Sequence, residues 1–139
     1  MRQLSLFECS AYMNNQTVRE LLDMSAKKSG LSRDDIATKM NELAVRFGVS
    51  LQSGDNGGPL SDDMLAKWLN KSEKTRHMPI HALGIFCRVV NDVSILEALL
   101  KPLGFSIIDN VGRKKLQWAE AKMSIRDQNR LIRKIEEEL

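Results

Sequence analysis

The sequence predicts an all-α protein, and three observations predict it. Apolar residues recur every three to four positions in successive segments, most of them opened by a polar capping residue and several closed by glycine or proline. Aromatic residues make up only 5% of the chain, while the good helix formers Leu, Met, Ala and Lys are plentiful. The last 27 residues hold no glycine or proline at all. At 139 residues the chain fits one domain with a helical appendage.

The first helix is expected over residues 17–29. Thr17 stands as its cap with Glu20 at capping-box spacing, Val18, Leu21, Leu22 and Met24 or Ser25 line one side, and Gly30 stops it. Lys27 and Lys28 suit the negative end of the helix dipole. A second helix follows at once, with Ser32 as cap, Asp34 and Asp35 in the first turn, and Ile36, Met40, Leu43, Ala44 and Phe47 on its inner face. Gly48 ends it, and VSLQSGDNGGP reads as a loop.

Leu60 and Ser61 open a third helix, SDDMLAKWLNKSEK, with Met64, Leu65, Trp68 and Leu69 turned inward. Pro79 suits the first position of a fourth helix reaching about Val90, which is expected to bury Ile80, Leu83, Ile85, Phe86, Val89 and Val90. Asn91 and Asp92 form a turn, Ser94 caps a fifth helix to Leu100, and Pro102 and Gly104 terminate it. FSIID at 105–109 fits a short strand or a closing turn. Three parts result: an extended arm at 1–16, a helical domain at 17–110, and a C-terminal helix at 113–139.

In that last helix Trp118, Ile125, Ile132 and Leu139 recur every seven residues, with Ala121, Gln128 and Ile135 between them. Such a stripe serves either as a homodimer seam or as an arm docked on its own domain, and the dimer is the stronger expectation because five helices already supply a body.

SRDDIATKM at 32–40 and LSDDMLAKWLN at 60–70 resemble the two helices of a lambda-repressor-like helix-turn-helix domain. The continuation to Phe105 resembles the remaining helices of small phage and prophage regulators of that class. The resemblance implies a five-helix DNA-binding domain that acts on double-stranded DNA as a transcriptional regulator, with Ala37 allowing close helix approach and Ile36, Met40, Leu65 and Trp68 packing the crossing. Two features depart from the pattern. About 20 residues, from Asn41 to Leu60, separate the matching segments, where the family has a few. Asp62 and Asp63 start the second helix, where carboxylates would repel phosphates.

The expected DNA contacts therefore lie later, at Lys67, Asn70, Lys71, Lys74, Arg76 and His77. If the helix continued, positions 67, 70, 71 and 74 would share one face. Lysines neutralise phosphates, Asn70 can pair with adenine, and Arg76 can take phosphate or guanine edges. Arg33, Lys39 and the Arg113-Lys114-Lys115 run are secondary basic sites. The net charge of +3 permits such a role without requiring it.

Catalysis is not expected. His77 and His81 have i,i+4 spacing, but Pro79 stands between them, so neither a metal nor any other cofactor is anticipated. Cys87 lies among apolar residues, Cys9 has no neighbouring base, and SGDNGGP lacks the lysine of a phosphate-binding loop. With no metal or disulfide spacing and no membrane-length apolar run, a cytoplasmic protein is expected.

The arm carries Gln-Leu-Ser-Leu-Phe at 3–7, which resembles the pentapeptide by which bacterial replication and repair proteins attach to the polymerase sliding clamp. That resemblance implies anchors at Gln3, Leu4, Leu6 and Phe7. The alternative is a strap covering a groove between helices.

Overall fold

The computed structural model describes residues 12–52 and 58–139. The only regular elements among the described residues are helices, with no strand among them. In chain order the helices are α1 (Asn15–Lys28), α2 (Arg33–Phe47), α3 (Asp62–Leu69), α4 (Ile80–Val90), α5 (Ser94–Leu100) and α6 (Asn110–Glu138), with a single 3-10 turn at Lys101–Leu103. The chain divides into two compact units after Phe105. None of these helices is long and apolar enough to cross a membrane.

In the first unit α2 packs against α3 and α4, and α1 packs against α3, α4 and α5. The core is Leu22, Ile36, Met40, Leu65, Trp68, Phe86 and Ile95, with Ala26, Ala37, Ala44 and Ala82 where helices approach closely. Full burial of each large aliphatic or aromatic side chain contributes about 1.5–3 kcal/mol. Leu51 and Leu60, at either end of the α2–α3 connection, are buried in the same core.

Helix boundaries follow local hydrogen bonding, and several differ from expectation. The cap of α1 is Asn14, whose Oδ1 accepts from the Thr17 backbone N–H at 2.9 Å and the Thr17 hydroxyl at 3.0 Å. Thr17 is thus the third helical residue, the partner of the cap. Both residues suit capping, and the earlier one gains an extra turn of helix. Ser32 caps α2 through the Asp35 N–H, and Ser61 caps α3 through the Met64 N–H. Gly48 closes α2 in the left-handed region at φ 66°, as the motif demands.

Pro79 is the cap of α4, in extended conformation, and Ile80 is its first residue. Ile80 faces outward at 88% exposure, contrary to its expected burial. Phe47 and Met24 are also exposed. Phe47 lies at the end of α2, beyond the inner stripe, and the Arg88 guanidinium covers its ring at 5.5 Å. Ser94 is not a cap: Asp92 does that work, its Oδ1 accepting from the Ser94 N–H at 3.0 Å and hydroxyl at 2.6 Å.

The 105–109 segment resolves to neither a strand nor a free turn. Its last residue, Asp109, caps α6 by accepting from the Gly112 N–H at 2.6 Å, so α6 begins at Asn110, ahead of the expected 113. A Cβ at Gly112 would meet the Asp109 carboxylate at 3.2 Å, which favours glycine there.

Candidate nucleic-acid interface

The basic segment after α3 is organised by a residue the sequence reading passed over. Arg19, on α1, is only 3% exposed. Its Nη1 donates to the carbonyls of Lys67 at 2.6 Å and Asn70 at 3.0 Å. Its Nη2 donates to the carbonyl of Arg76 and to Nδ1 of His77, the latter at 2.9 Å. The guanidinium therefore sits at the C-terminal end of α3, where orphan carbonyls and the negative end of the dipole favour a cation. Arginine only donates, so His77 accepts through Nδ1 and carries its proton on Nε2. The Nε of Arg19 has no acceptor among the described residues.

This arrangement ends α3 at Leu69. Asn70 turns to an extended conformation, its Oδ1 accepting from the Ser72 N–H at 2.9 Å and its carbonyl from the Glu73 N–H at 3.1 Å. Asn and Ser side chains that bond the nearby backbone compete with helix continuation. Glu73 then gathers the next turn: its Oε1 accepts from the Thr75 hydroxyl at 2.8 Å, the Thr75 N–H at 3.1 Å and the Arg76 N–H at 3.3 Å. These bonds, the Thr75 hydroxyl foremost, hold the Glu73 carboxyl below its ordinary pKa.

The expected common helical face of Lys67, Asn70, Lys71 and Lys74 therefore does not exist. Lys67 is on α3, whereas Asn70, Lys71, Lys74, Arg76 and His77 lie on a hydrogen-bonded loop. All six are exposed. None of the four lysine and arginine side chains is in an ion pair among the described residues. Asn70 and His77 are partly committed. The Asn70 oxygen serves Ser72, so a two-point contact to adenine would cost that bond, and the His77 Nδ1 serves Arg19.

The long α2–α3 connection is closed by a second unforeseen residue. Asn41 Oδ1 accepts from the Leu60 N–H at 2.7 Å, and its Nδ2 donates to the Leu60 carbonyl at 2.9 Å. Gln52 adds a donation to the Pro59 carbonyl at 2.7 Å. The start of α3 is thus pinned to the middle of α2, which is what a tight turn would otherwise achieve.

Between α1, the start of α2, and α3 lies an open groove of about 1020 Å³. Lys27, Arg33, Lys67 and Lys71 line it, together with Glu20, Asp23 and Asp63. Lys27 is neutralised by Asp23 at 2.8 Å. Asp63 keeps the N-terminal end of α3 acidic, and Asp62 beside it is exposed as well. The positive charge is thus displaced toward Arg33, Lys67, Lys71 and the loop beyond. Lys39 is exposed on α2.

Elsewhere, Cys87 is buried, and burial raises its thiol pKa, with the Asp92 carboxylate adding to the effect. Cys9 and the anchors Gln3, Leu4, Leu6 and Phe7 lie outside the described residues. Trp118, Ile125, Ile132 and Ile135 on α6 and Leu139 just past its end are all exposed.

Arg19 and Asn41 each left a signal in the sequence. Arg19 shares a helical stripe with Leu22 and Ala26, and Asn41 shares one with Ala37 and Ala44, so each is a polar residue on an apolar face. No known protein family, no curated protein and no solved structure matches the chain.

Proposed function

We propose that the chain is a non-enzymatic DNA-binding regulator of the lambda-repressor-like helix-turn-helix class, of phage or mobile-element origin, that engages duplex DNA as a dimer. The observation that carries the reading is the loop at 70–77. It presents Lys71, Lys74 and Arg76 to solvent next to Lys67, while its backbone is fastened from behind by buried Arg19. Cations carried on a backbone already held in place lose less entropy on meeting a phosphate backbone than cations on a free loop. In this reading α2 and α3 are the paired helices, with Asn41 replacing the short turn. The C-terminal end of α3 and the following loop approach the DNA, and the acidic start of α3 stays away from it.

Fluorescence anisotropy with labelled duplexes, including the gene's own upstream region, tests this at about 50 and 200 mM salt. Affinity is expected to fall steeply with salt, and Lys71→Glu or Arg76→Glu to weaken it about tenfold or more. Dissociation constants in the millimolar range on every sequence at the lower salt overturn the reading.

A second reading rests on the match of Gln3, Leu4, Leu6 and Phe7 to a clamp-binding peptide. In it the chain is an adaptor for the bacterial replication sliding clamp. Pull-down on purified clamp, comparing the intact chain with one lacking residues 1–8, separates the two: capture lost on deletion supports the adaptor.

A further inference from the structure

Beyond the Asp109 cap, the charges at the two ends of α6 are arranged against the helix's own dipole. Arg113, Lys114 and Lys115 occupy the second turn, with no acidic residue in the first turn, and Glu136, Glu137 and Glu138 occupy the last, with no basic residue there. An isolated helix is stabilised by the opposite order. All six side chains are exposed, and none is in an ion pair among the described residues. The heptad stripe through Trp118, Ile125, Ile132 and Ile135 runs between these two charged ends, exposed along its length.

We infer that α6 pairs antiparallel with α6 of a second copy of this chain. This rests on the dimer reading above and adds its orientation. Antiparallel pairing sets the three glutamates of each copy beside the Arg113–Lys115 cluster of the other, and opposes the two macrodipoles. Parallel pairing would set glutamates against glutamates and the basic clusters against each other. A second copy meets both ends of the helix with opposite charge, and the apolar seam between them supplies the burial.

Sedimentation equilibrium of the full chain tests the orientation. Combined Glu136→Lys, Glu137→Lys and Glu138→Lys substitutions are expected to raise the dimer dissociation constant about tenfold. Adding Arg113→Glu, Lys114→Glu and Lys115→Glu to the same chain is expected to restore it. In a parallel dimer the first set exchanges one like-charge contact for another, so no weakening overturns the inference, as does weakening without rescue. Spin labels on Glu137→Cys, in a Cys9→Ser background, give an independent readout. Antiparallel pairing places them about 30–45 Å apart, whereas a separation under about 20 Å means parallel helices. A parallel dimer that still binds DNA defeats the orientation alone. A wild-type chain that sediments as a monomer defeats the dimer reading with it.

Discussion

Arg19 and His77 stand 58 residues apart in sequence and meet at 2.9 Å, guanidinium Nη2 to imidazole Nδ1. Together with the three carbonyls that the same guanidinium binds, this contact makes the basic loop a fixed part of the fold.

Replacing Arg19 is therefore expected to act on stability and, under the proposed function, on DNA affinity as well. Arg19→Ala strands the carbonyls of Lys67, Asn70 and Arg76 near the protein interior and is expected to cost about 2–4 kcal/mol. Denaturant unfolding checks the first effect, and anisotropy below the unfolding midpoint checks the second. Arg19→Lys recovers the charge without the fork and is expected to fall between the two proteins.

Asn41→Ala removes both bonds to Leu60 and is expected to destabilise by about 1–3 kcal/mol. Asn41→Asp separates the two roles: a carboxylate still accepts from the Leu60 N–H but cannot donate to its carbonyl. Urea unfolding of both variants should find Asp no better than Ala at neutral pH.

Asp92 links folding to pH. Its carboxylate accepts from the Ser94 hydroxyl and N–H and, at 2.9 Å, from the Ser25 hydroxyl. The Ser94 hydroxyl bond is the chief cause of a pKa below the ordinary 3.8. The folded state thus favours the ionised form, and the stability it contributes is present at neutral pH. It is lost as pH falls below about 4 through the folded pKa. Stability curves from pH 7 to 3 should converge for wild type and Asp92→Asn at the acidic end.

In the proposed DNA-binding reading, Lys67→Ala and Lys74→Ala would each remove one phosphate contact. Each is expected to reduce the slope of log K against log salt by about one, uniformly across DNA sequences. An unchanged slope for both would place the interface elsewhere.

Cys87 is expected to resist alkylation in the native protein and to react at once in denaturant, since burial raises its pKa and blocks access. Timed mass spectrometry of iodoacetamide-treated protein measures this.

Helix existence was legible because periodicity is local. The inner residues Ile36, Met40, Leu65, Trp68 and Phe86 could be read from spacing alone, and all five are buried. The caps Ser32 and Ser61 and the stop Gly48 were equally local, each depending on neighbours within four residues. Asn14 and Asp92 show where that reading slips, by two or three positions, because nearby residues can each satisfy the same orphan N–H groups, and Pro79 by one, because helix ends are fixed only to a residue or two by local sequence.

The site was less legible, and for a different reason. Composition and spacing by themselves determined that the chain is helical, that a basic cluster follows α3, and that the last helix carries an apolar heptad stripe. Only the tertiary structure decided that α3 stops at Leu69, that the cations beyond it lie on a loop rather than on one helical face, and that α2 and α3 are joined through Asn41. Each of those outcomes turns on a polar side chain, buried Arg19 or half-buried Asn41, meeting a backbone carbonyl 19 to 57 residues away. Propensity sees only the near neighbours, while the cost of burying an unpaired polar group is settled across the whole fold.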